Sequence, residues 1–490
     1  MKADQRRAGI ILNYLTEGVR VLTALLYTPM LLRLLGQREY GVYQIAVSVV
    51  SWLGLLNLGF GSGYVRYYAR YQTAGDREGI ARLNGMFLLI FGVLSLLSLA
   101  GGGILAAHTE NLFGTGLAPW EQEKAERLLW ILTVNMAVTL WNTTFDSFLT
   151  AKECFLFQKL LRLGQTVLSP FLTLPLLLLG KASEAVAAVS LLLSAGVLTG
   201  NLAWCRRIGM TVSFRKLQFF QLRELWHFAF FVFLNQIIDQ ANWSVDKFLL
   251  GRLRGTGAVA VYGIGAQINA LYLQLSTAVS SVFVPKVNRL AAQSEDNEAL
   301  FKLMCRVGSL QAAVLGLVLS GFVLFGREFL LLWAGKGYEE AYPAALLLMI
   351  PVTVPLIQNL GIEIQRARGK HQIRSLVCAC LAVGNILLSL VWIPRWGCTG
   401  AAAGTAVSLL AGNVLFMNWY YHRKLRLDMI RFFRSLLPLI PVWLGAAAAG
   451  LLLRFLFPVA GWGSLIQSIL LYSGIYVLLL AAAKKKWGQV

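Results

Sequence analysis

The stretch LLGQREYGVYQI, residues 34–45, returns later in the chain as LRGTGAVAVYGI, residues 253–264. The two stretches align without gaps, and five of their twelve positions are identical. The identical pairs are Leu34 and Leu253, Gly36 and Gly255, Val42 and Val261, Tyr43 and Tyr262, and Ile45 and Ile264. The chain therefore contains an internal repeat, and we expect its two copies to share local structure.

Further matches extend this repeat along both copies. The same register places Arg70 on Arg289, and a register shifted by two residues places Gly180 on Gly397. These matches predict three parts of the chain. They are an N-terminal lobe, 1–210; a repeated lobe, 211–430; and a C-terminal extension with a basic tail, 431–490.

The composition of the chain is that of a membrane protein. Hydrophobic residues make up 57% of the 490 positions, and apolar runs of about 20 residues, the length that crosses a bilayer, recur along the sequence. We predict an all-α polytopic membrane protein with about fourteen transmembrane helices. Because each repeat copy holds an even number of predicted helices, the two six-helix lobes are expected to be parallel, with two additional helices at the C-terminus.

The basic residues indicate the orientation of the chain. The formal net charge is +21, and Lys and Arg concentrate in the tails and in the even-numbered loops between predicted spans. By the positive-inside rule, this distribution places both termini in the cytoplasm. Since topology and contact with anionic membrane lipids account for the charge, no nucleic-acid partner is expected.

The sequence shows no pattern of a metal or cofactor site. Its six cysteines lack zinc-ligand spacing and form no disulfide framework. A glycine-rich phosphate loop followed by Lys and Ser or Thr is also missing from the sequence. We therefore expect no metal, no cofactor, no catalytic residues and no ATP hydrolysis by this chain.

Polar residues follow one face of the predicted seventh span, near residues 228–250. Asn235, Asp239, Asn242 and Asp246 recur at spacings of four, three and four residues, which places them on one side of a helix. A charged group at bilayer depth is costly and normally faces a bundle interior or a watery cavity. This face therefore predicts a polar pathway.

The first span predicts a second polar face, which holds Asn13, Glu17 and Arg20. The second and eighth spans add amides, at Gln44 and at Gln267 and Gln274. We predict that these four helices line one substrate cavity. The repeat also sets Arg20 opposite Asp239, which has the opposite charge.

The roles of the charged residues leave alternatives open. Glu17 and Arg20 are three residues apart, so they neutralise each other along their own helix or engage a ligand. Asp239 pairs with Arg20 between the lobes or couples transport to H⁺ or Na⁺, because a carboxylate in a low-dielectric cavity readily changes protonation or binds a cation. Glu17 and Asp246 are the other candidates for ion coupling, and Asp246 has a plainer role as a neighbour of Lys247.

The end of the second span and the residues after it predict an interface with the inner membrane surface. Arg66 and Arg70 either set topology or receive a phosphate group at the inner mouth of the pathway. The cluster of Tyr64, Tyr67, Tyr68 and Tyr71 predicts an aromatic belt at the lipid headgroups.

Residues 31–71, LLRLLGQREYGVYQIAVSVVSWLGLLNLGFGSGYVRYYARY, resemble the opening of Wzx-type oligosaccharide flippases, and residues 245–267 resemble the matching stretch in their second half. These flippases share the MOP superfamily with MurJ and the MATE antiporters. The resemblance implies a V-shaped pair of lobes that moves a polyprenyl-diphosphate-linked oligosaccharide from the inner to the outer leaflet of the bacterial plasma membrane by alternating access. It also implies glycan-assembly enzymes as partners.

Two other classes compete with this interpretation. A MATE-like small-molecule antiporter would share the fold, but its cationic drugs favour an acidic cavity, whereas Arg20 favours an anionic or zwitterionic substrate. A membrane polysaccharide polymerase or ligase would need catalytic residues. The four histidines lie at or beyond the ends of predicted spans, and the longest predicted outer loop, about residues 108–127, is too short for a catalytic lobe.

Overall fold

The computed structural model describes residues 2–215, 220–293, 298–368 and 372–487. Nearly all of these residues are helical, and the described part of the chain contains no β-strand. The all-α fold predicted from the sequence is confirmed. The chain divides into two compact units, Met1–Ala260 and Val261–Val490.

The described residues of the first unit form nine complete α-helices. They are α1 Lys2–Leu35, α2 Gln37–Leu53, α3 Phe60–Thr73, α4 Arg77–Ala107, α5 Thr109–Phe113, α6 Pro119–Ala151, α7 Phe155–Leu178, α8 Ser183–Arg207 and α9 Phe220–Arg254. The unit boundary falls inside the next helix, α10 Thr256–Ser281. The structure therefore groups α9 with the N-terminal helices, while the predicted lobes 1–210 and 211–430 rest on the repeat and stay a prediction.

The second unit continues from α10 through nine further helices and one π-helical segment. They are α11 Val284–Gln293, α12 Glu298–Trp333, α13 Ala341–Ile357, α14 Asn359–Ala367, α15 Gln372–Leu409, the π-helical segment Leu410–Phe416, α16 Met417–Arg423, α17 Met429–Leu436, α18 Ile440–Leu456 and α19 Trp462–Trp487. The last helices pack on α12 through two tyrosines. Tyr472 and Tyr476 are buried, and the Tyr476 hydroxyl donates a hydrogen bond to the Ala313 carbonyl at 2.8 Å.

Corresponding glycines of the two repeat copies all have a positive φ. Gly36 has φ 76° and Gly255 has φ 82°, each at the turn between two helices. Gly180 and Gly397 also have positive φ, at 79° and 58°. Because a side chain disfavours this left-handed region, glycine at these positions permits the sharp turns that both copies make.

The described residues contain eleven helices that are long and apolar enough to cross a membrane, or twelve when the bent pair α13 and α14 counts as one span. The protein is therefore a multi-pass membrane protein, and the predicted count of fourteen stays a prediction. One reason for the lower count lies at Gly397. The range Ile373–Arg423 is counted as one span, although non-helical backbone at Gly397 breaks it. A straight helix of that length would be about 75 Å long, well over the roughly 30 Å of hydrocarbon.

The other reason for the lower count lies in α9. This helix has 35 residues, yet it is absent from the set of apolar spans. Polar and charged residues such as Asp239, Asp246 and Lys247 lower its hydropathy. A helix that carries such groups is expected to be shielded from lipid by protein or water.

The tyrosine cluster of α3 forms a protein core and not a lipid-facing belt. Tyr64 and Tyr68 are at most 1% exposed, and Tyr67 is 7% exposed. They pack with aromatic residues of α4 and α6, and the Tyr64 hydroxyl donates to the amide oxygen of Asn84. The predicted headgroup belt is therefore wrong, because Asn84 supplies within the protein the hydrogen-bond partner that the hydroxyl would otherwise seek at the membrane surface.

Candidate functional site

A cavity of about 320 Å³ lies between the end of α2 and the middle of α9 in the first unit. Its lining consists of Ser51, Gly54, Leu55, Gln236, Asp239, Gln240 and Trp243. The four residues from α9 are spaced so that they share one helix face. The lining of the cavity is therefore mixed: most of its surface is apolar, one wall is aromatic, and amide, hydroxyl and carboxylate groups lie among the apolar atoms.

A break in the second predicted span shapes one side of this cavity. The helix α2 ends at Leu53, and a 3₁₀ turn, Gly54–Asn57, leads into Leu58 with φ 51° and Gly59 with φ 68°. A positive φ is unfavourable for leucine, so this connection stores backbone strain. The break ends α2 beside the cavity, and α3 begins only at Phe60.

The polar groups of the cavity lie around a hydrogen bond between the Gln240 amide and the Ser51 hydroxyl. The Gln240 amide Nε2 donates to Ser51 Oγ, and Ser51 Oγ donates to the Ser48 carbonyl at 2.6 Å. The Gln236 oxygen Oε1 is buried and accepts no hydrogen bond from the described residues. Asp239 presents an exposed side chain to the same cavity. A buried acceptor without a partner is costly, so the Gln236 oxygen favours a ligand or water that donates to it.

A second polar contact joins α9 to α2 one helical turn beyond Trp243. The Lys247 ammonium donates to Gln44 Oε1 at 3.1 Å, and Gln44 Nε2 donates to the Tyr40 hydroxyl at 2.6 Å. The neighbouring Asp246 is fully buried. Gln44, predicted as a cavity residue, thus links α2 to α9 through its amide oxygen, while its amide nitrogen donates within α2.

The Glu17 carboxylate and the Arg20 guanidinium form an ion pair on α1. Arg20 Nη2 lies 2.6 Å from Glu17 Oε2, and the two side chains are 49% and 42% exposed. The structure therefore shows the local pair, one of the two alternatives. The alternative pairing of Arg20 with Asp239 stays a prediction.

The remaining predicted site residues lie in several places. Asn242 is half-buried on α9, and Gln267 and Gln274 are half-buried on α10 in the second unit. Arg66 and Arg70 are exposed on α3. The side chains of Asn13 and Asn235 lie outside those that the structure describes.

Sequence reasoning identified Asp239 but missed the face of α9 that contacts α2. The predicted stripe follows 235, 239, 242 and 246. A second stripe repeats the same spacing one residue later: Gln240 and Lys247 donate hydrogen bonds to α2, and Gln236 and Trp243 line the cavity. Asp239 lies in the cavity beside this second stripe. The signal was present in the sequence, since these residues also have 4-3-4 spacing, but a helix with two polar faces does not reveal which face a neighbour will cover.

A partly buried ion pair joins three helices of the same unit. The Lys124 ammonium lies 2.8 Å from both carboxylate oxygens of Glu39, and Ser183 donates to Glu39 through its backbone N–H at 2.9 Å and its hydroxyl at 2.8 Å. The Lys124 and Glu39 side chains are only 20% and 13% exposed. This cluster fastens the beginning of α2 to α6 and α8.

The turn between α9 and α10 packs tightly beside that cluster. Thr256 donates to Glu121 Oε1 at 2.7 Å, and Glu121 Oε2 accepts the Ala118 N–H at 2.8 Å. A Cβ atom added to Gly41 would lie 2.0 Å from the Thr256 carbonyl oxygen. The chain therefore needs glycine at position 41 so that α2 can approach this turn.

Comparisons with known proteins fit this helical architecture. The fold is similar to that of the lipid II flippase MurJ in an inward closed conformation, with a TM-score of 0.75 at 14% identity over 98% of this chain and 99% of that one. It is also similar to an inward-facing multidrug resistance MATE transporter of the MOP superfamily, with a TM-score of 0.59 at 16% identity over 84% of this chain and 98% of that one. The chain therefore has the fold of MurJ and the MATE transporters, as the sequence resemblance predicted.

The family follows from the sequence comparisons. The model of the family described as "Polysaccharide biosynthesis protein" matches residues 7–290, more than half of the chain, and the chain belongs to that family. A putative O-antigen transporter of Shigella flexneri is 20% identical over 418 residues, which cover 84% of this chain and 96% of that protein.

Proposed function

We propose that this protein flips a polyprenyl-diphosphate-linked oligosaccharide across the bacterial plasma membrane for the synthesis of a cell-envelope polysaccharide. The observation that carries the proposal is the cavity beside α9, which is lined by two amides, a hydroxyl and a carboxylate, in a multi-pass member of a polysaccharide biosynthesis family. A glycan cannot cross hydrocarbon without replacing its hydrogen bonds to water. A cavity lined by amides, a carboxylate and an aromatic ring replaces part of that hydration.

The diphosphate needs a cationic partner that can change partners during transport. Arg20 is half-exposed and is held by one carboxylate of its own helix, so its guanidinium is accessible to an incoming anion. Arginine binds phosphate oxygens with two parallel hydrogen bonds. In our mechanism Arg20 leaves Glu17 for the diphosphate, and Arg66 and Arg70 attract the substrate at the inner mouth.

The transport cycle that we propose is alternating access. Both termini face the cytoplasm, the glycan enters from the inside, and the lipid tail stays in the bilayer. Uptake of H⁺ or Na⁺ by Asp239, Glu17 or Asp246 resets the cycle, because each is a carboxylate on a predicted transmembrane helix. Anionic lipids bind the basic inner surface, and glycan-assembly enzymes deliver the substrate.

A MATE-like antiporter of small cations is the second candidate function. It is favoured by the likeness to the MATE fold and by the Asp239 carboxylate in the cavity. The flippase is the better proposal, since the family is one of polysaccharide biosynthesis and the likeness to a lipid II flippase covers nearly the whole chain.

The test is leaflet translocation of a fluorescent polyprenyl-diphosphate oligosaccharide in vesicles that contain the purified protein. We expect protein-dependent translocation, and a reduction of at least about tenfold on Arg20→Ala, because a charge-assisted phosphate contact is lost. The matched control is Arg366→Ala, which removes an arginine that also pairs with a glutamate three residues before it. This control should translocate at the wild-type rate.

Two results would contradict the proposal. Absence of translocation under imposed proton and Na⁺ gradients, with several glycans, would favour the antiporter, and uptake of a cationic drug would then be measured. Equal losses in Arg20→Ala and Arg366→Ala would show that Arg20 has no specific role in the pathway.

A further inference from the structure

The cavity beside α9 presents a carboxylate and amide groups to a ligand. One N–H of the Gln240 amide donates to Ser51 Oγ, and the Ser51 hydroxyl donates to the Ser48 carbonyl. The buried Gln236 Oε1 still lacks a donor among the described residues. Together with the carboxylate of Asp239, these groups favour a ligand that brings O–H or N–H donors.

Trp243 gives the same cavity an aromatic wall. The indole is half-buried, lines the pocket, and lies one turn of α9 beyond Asp239 and Gln240. The face of an indole is apolar and electron-rich, so it suits a flat ligand face that carries C–H groups. A pyranose ring combines such a face with a rim of hydroxyl donors.

The size and charge of the cavity restrict the ligand further. A volume of about 320 Å³ is at the small end of ligand pockets, so its walls contact about one sugar ring, and the rest of an oligosaccharide would extend from the open side. The Asp239 carboxylate would repel a carboxylate of the ligand, whereas it would accept hydrogen bonds from hydroxyl, amide or ammonium groups of the ligand.

We infer that this cavity is a monosaccharide subsite that holds one neutral or amine-bearing pyranose unit of the transported glycan and rejects uronic acids. The ring stacks on Trp243, and its donors reach Asp239 and Gln236. This inference rests on the proposed flippase function and adds to it the class of sugar that the protein selects.

The experiment measures equilibrium binding to the full-length protein in lipid nanodiscs by titration calorimetry. Three probes share one short polyprenyl diphosphate, which carries no sugar, one N-acetylglucosamine or one glucuronic acid. We expect the N-acetylglucosamine probe to bind about tenfold tighter than the bare carrier, a gain typical of one stacked ring with hydrogen bonds. Trp243→Leu should abolish this gain and leave binding of the bare carrier unchanged.

Further variants distinguish the effect of ring stacking on Trp243 from the effect of the Asp239 charge and from a general loss of folding. Trp243→Phe retains an aromatic face and should keep most of the gain, whereas Trp396→Leu removes an exposed tryptophan of the second unit and should keep all of it. Asp239→Asn removes the repulsion and should strengthen binding of the glucuronic acid probe about fivefold to tenfold.

The outcomes distinguish this inference from the proposed function. Equal binding of all three probes to the wild type, or an equal loss for the bare and glycosylated carriers in Trp243→Leu, would overturn the subsite. Translocation of the N-acetylglucosamine probe that is unaffected by Trp243→Leu would overturn the subsite and leave flipping intact. A wild type that neither binds nor translocates any probe would overturn both.

Discussion

Two ion pairs of the first unit have similar chemistry but different surroundings. Glu17 and Arg20 lie on one helix, contact each other at 2.6 Å and are 42% and 49% exposed. Glu39 and Lys124 lie on different helices, contact each other at 2.8 Å and are 13% and 20% exposed. Glu39 also accepts two hydrogen bonds from Ser183 at the start of a third helix.

This difference in exposure indicates which of the two ion pairs can separate during transport. An exposed pair within one helix contributes little to stability, because water solvates both groups when they separate. A partly buried charge that loses its partner recovers only part of its hydration, so separation of Glu39 and Lys124 is costly. We therefore expect Glu39 and Lys124 to hold α2, α6 and α8 together throughout transport, and Glu17 to release Arg20 to the substrate.

The largest effect is expected from Glu39→Gln. Glutamine keeps the shape of the side chain but leaves the Lys124 ammonium in a partly buried site without its counter-charge. The free energy of unfolding should fall by about 2 to 4 kcal/mol. The loss of the folded protein on heating in detergent, followed by size-exclusion chromatography, measures the effect against Glu17→Gln. Similar melting of both variants would contradict the distinction between the two pairs.

An intermediate effect on stability is expected when the charges of Glu39 and Lys124 are exchanged. The double variant Glu39→Lys with Lys124→Glu restores an ion pair, but Ser183 then loses the carboxylate that accepts its N–H and hydroxyl. About 1 to 2 kcal/mol of the loss should therefore persist, the cost of two unmet hydrogen bonds. Full recovery of wild-type melting would show that charge alone, and not the link to α8, stabilises this cluster.

Much of the fold could be predicted from local sequence, because hydrophobic length and glycine conformation are local properties. Gly36 and Gly255 were aligned by the repeat, and both have positive φ. The number of spans was harder to predict. The polarity of α9 and the break at Gly397 determine how helices are counted, and neither is a matter of hydrophobic length.

The site could be predicted only in part, because tertiary packing decides which side of a helix meets its neighbour. The polarity of Asp239 indicated a cavity, and the structure places it in one. Trp243 gave no such indication, since a tryptophan in an apolar span more often packs in a core or at the interface. The buried hydroxyl of Tyr64 illustrates the same limit, because its partner, Asn84, comes from another helix.

The smallest effect on stability, and the sharpest test of the exchangeable pair, is expected from Glu17→Gln. The free energy of unfolding should change by less than about 0.5 kcal/mol, as for other exposed ion pairs. Translocation should change in a specific way: the substrate concentration for half-maximal rate should fall about threefold, because the diphosphate no longer competes with a carboxylate for Arg20. Initial rates in vesicles over a range of substrate concentrations measure this, with Glu363→Gln, from the pair of the same spacing in α14, as the control. A rise in that concentration, or an equal fall in the control, would mean that Glu17 positions Arg20 for the substrate and does not compete with it.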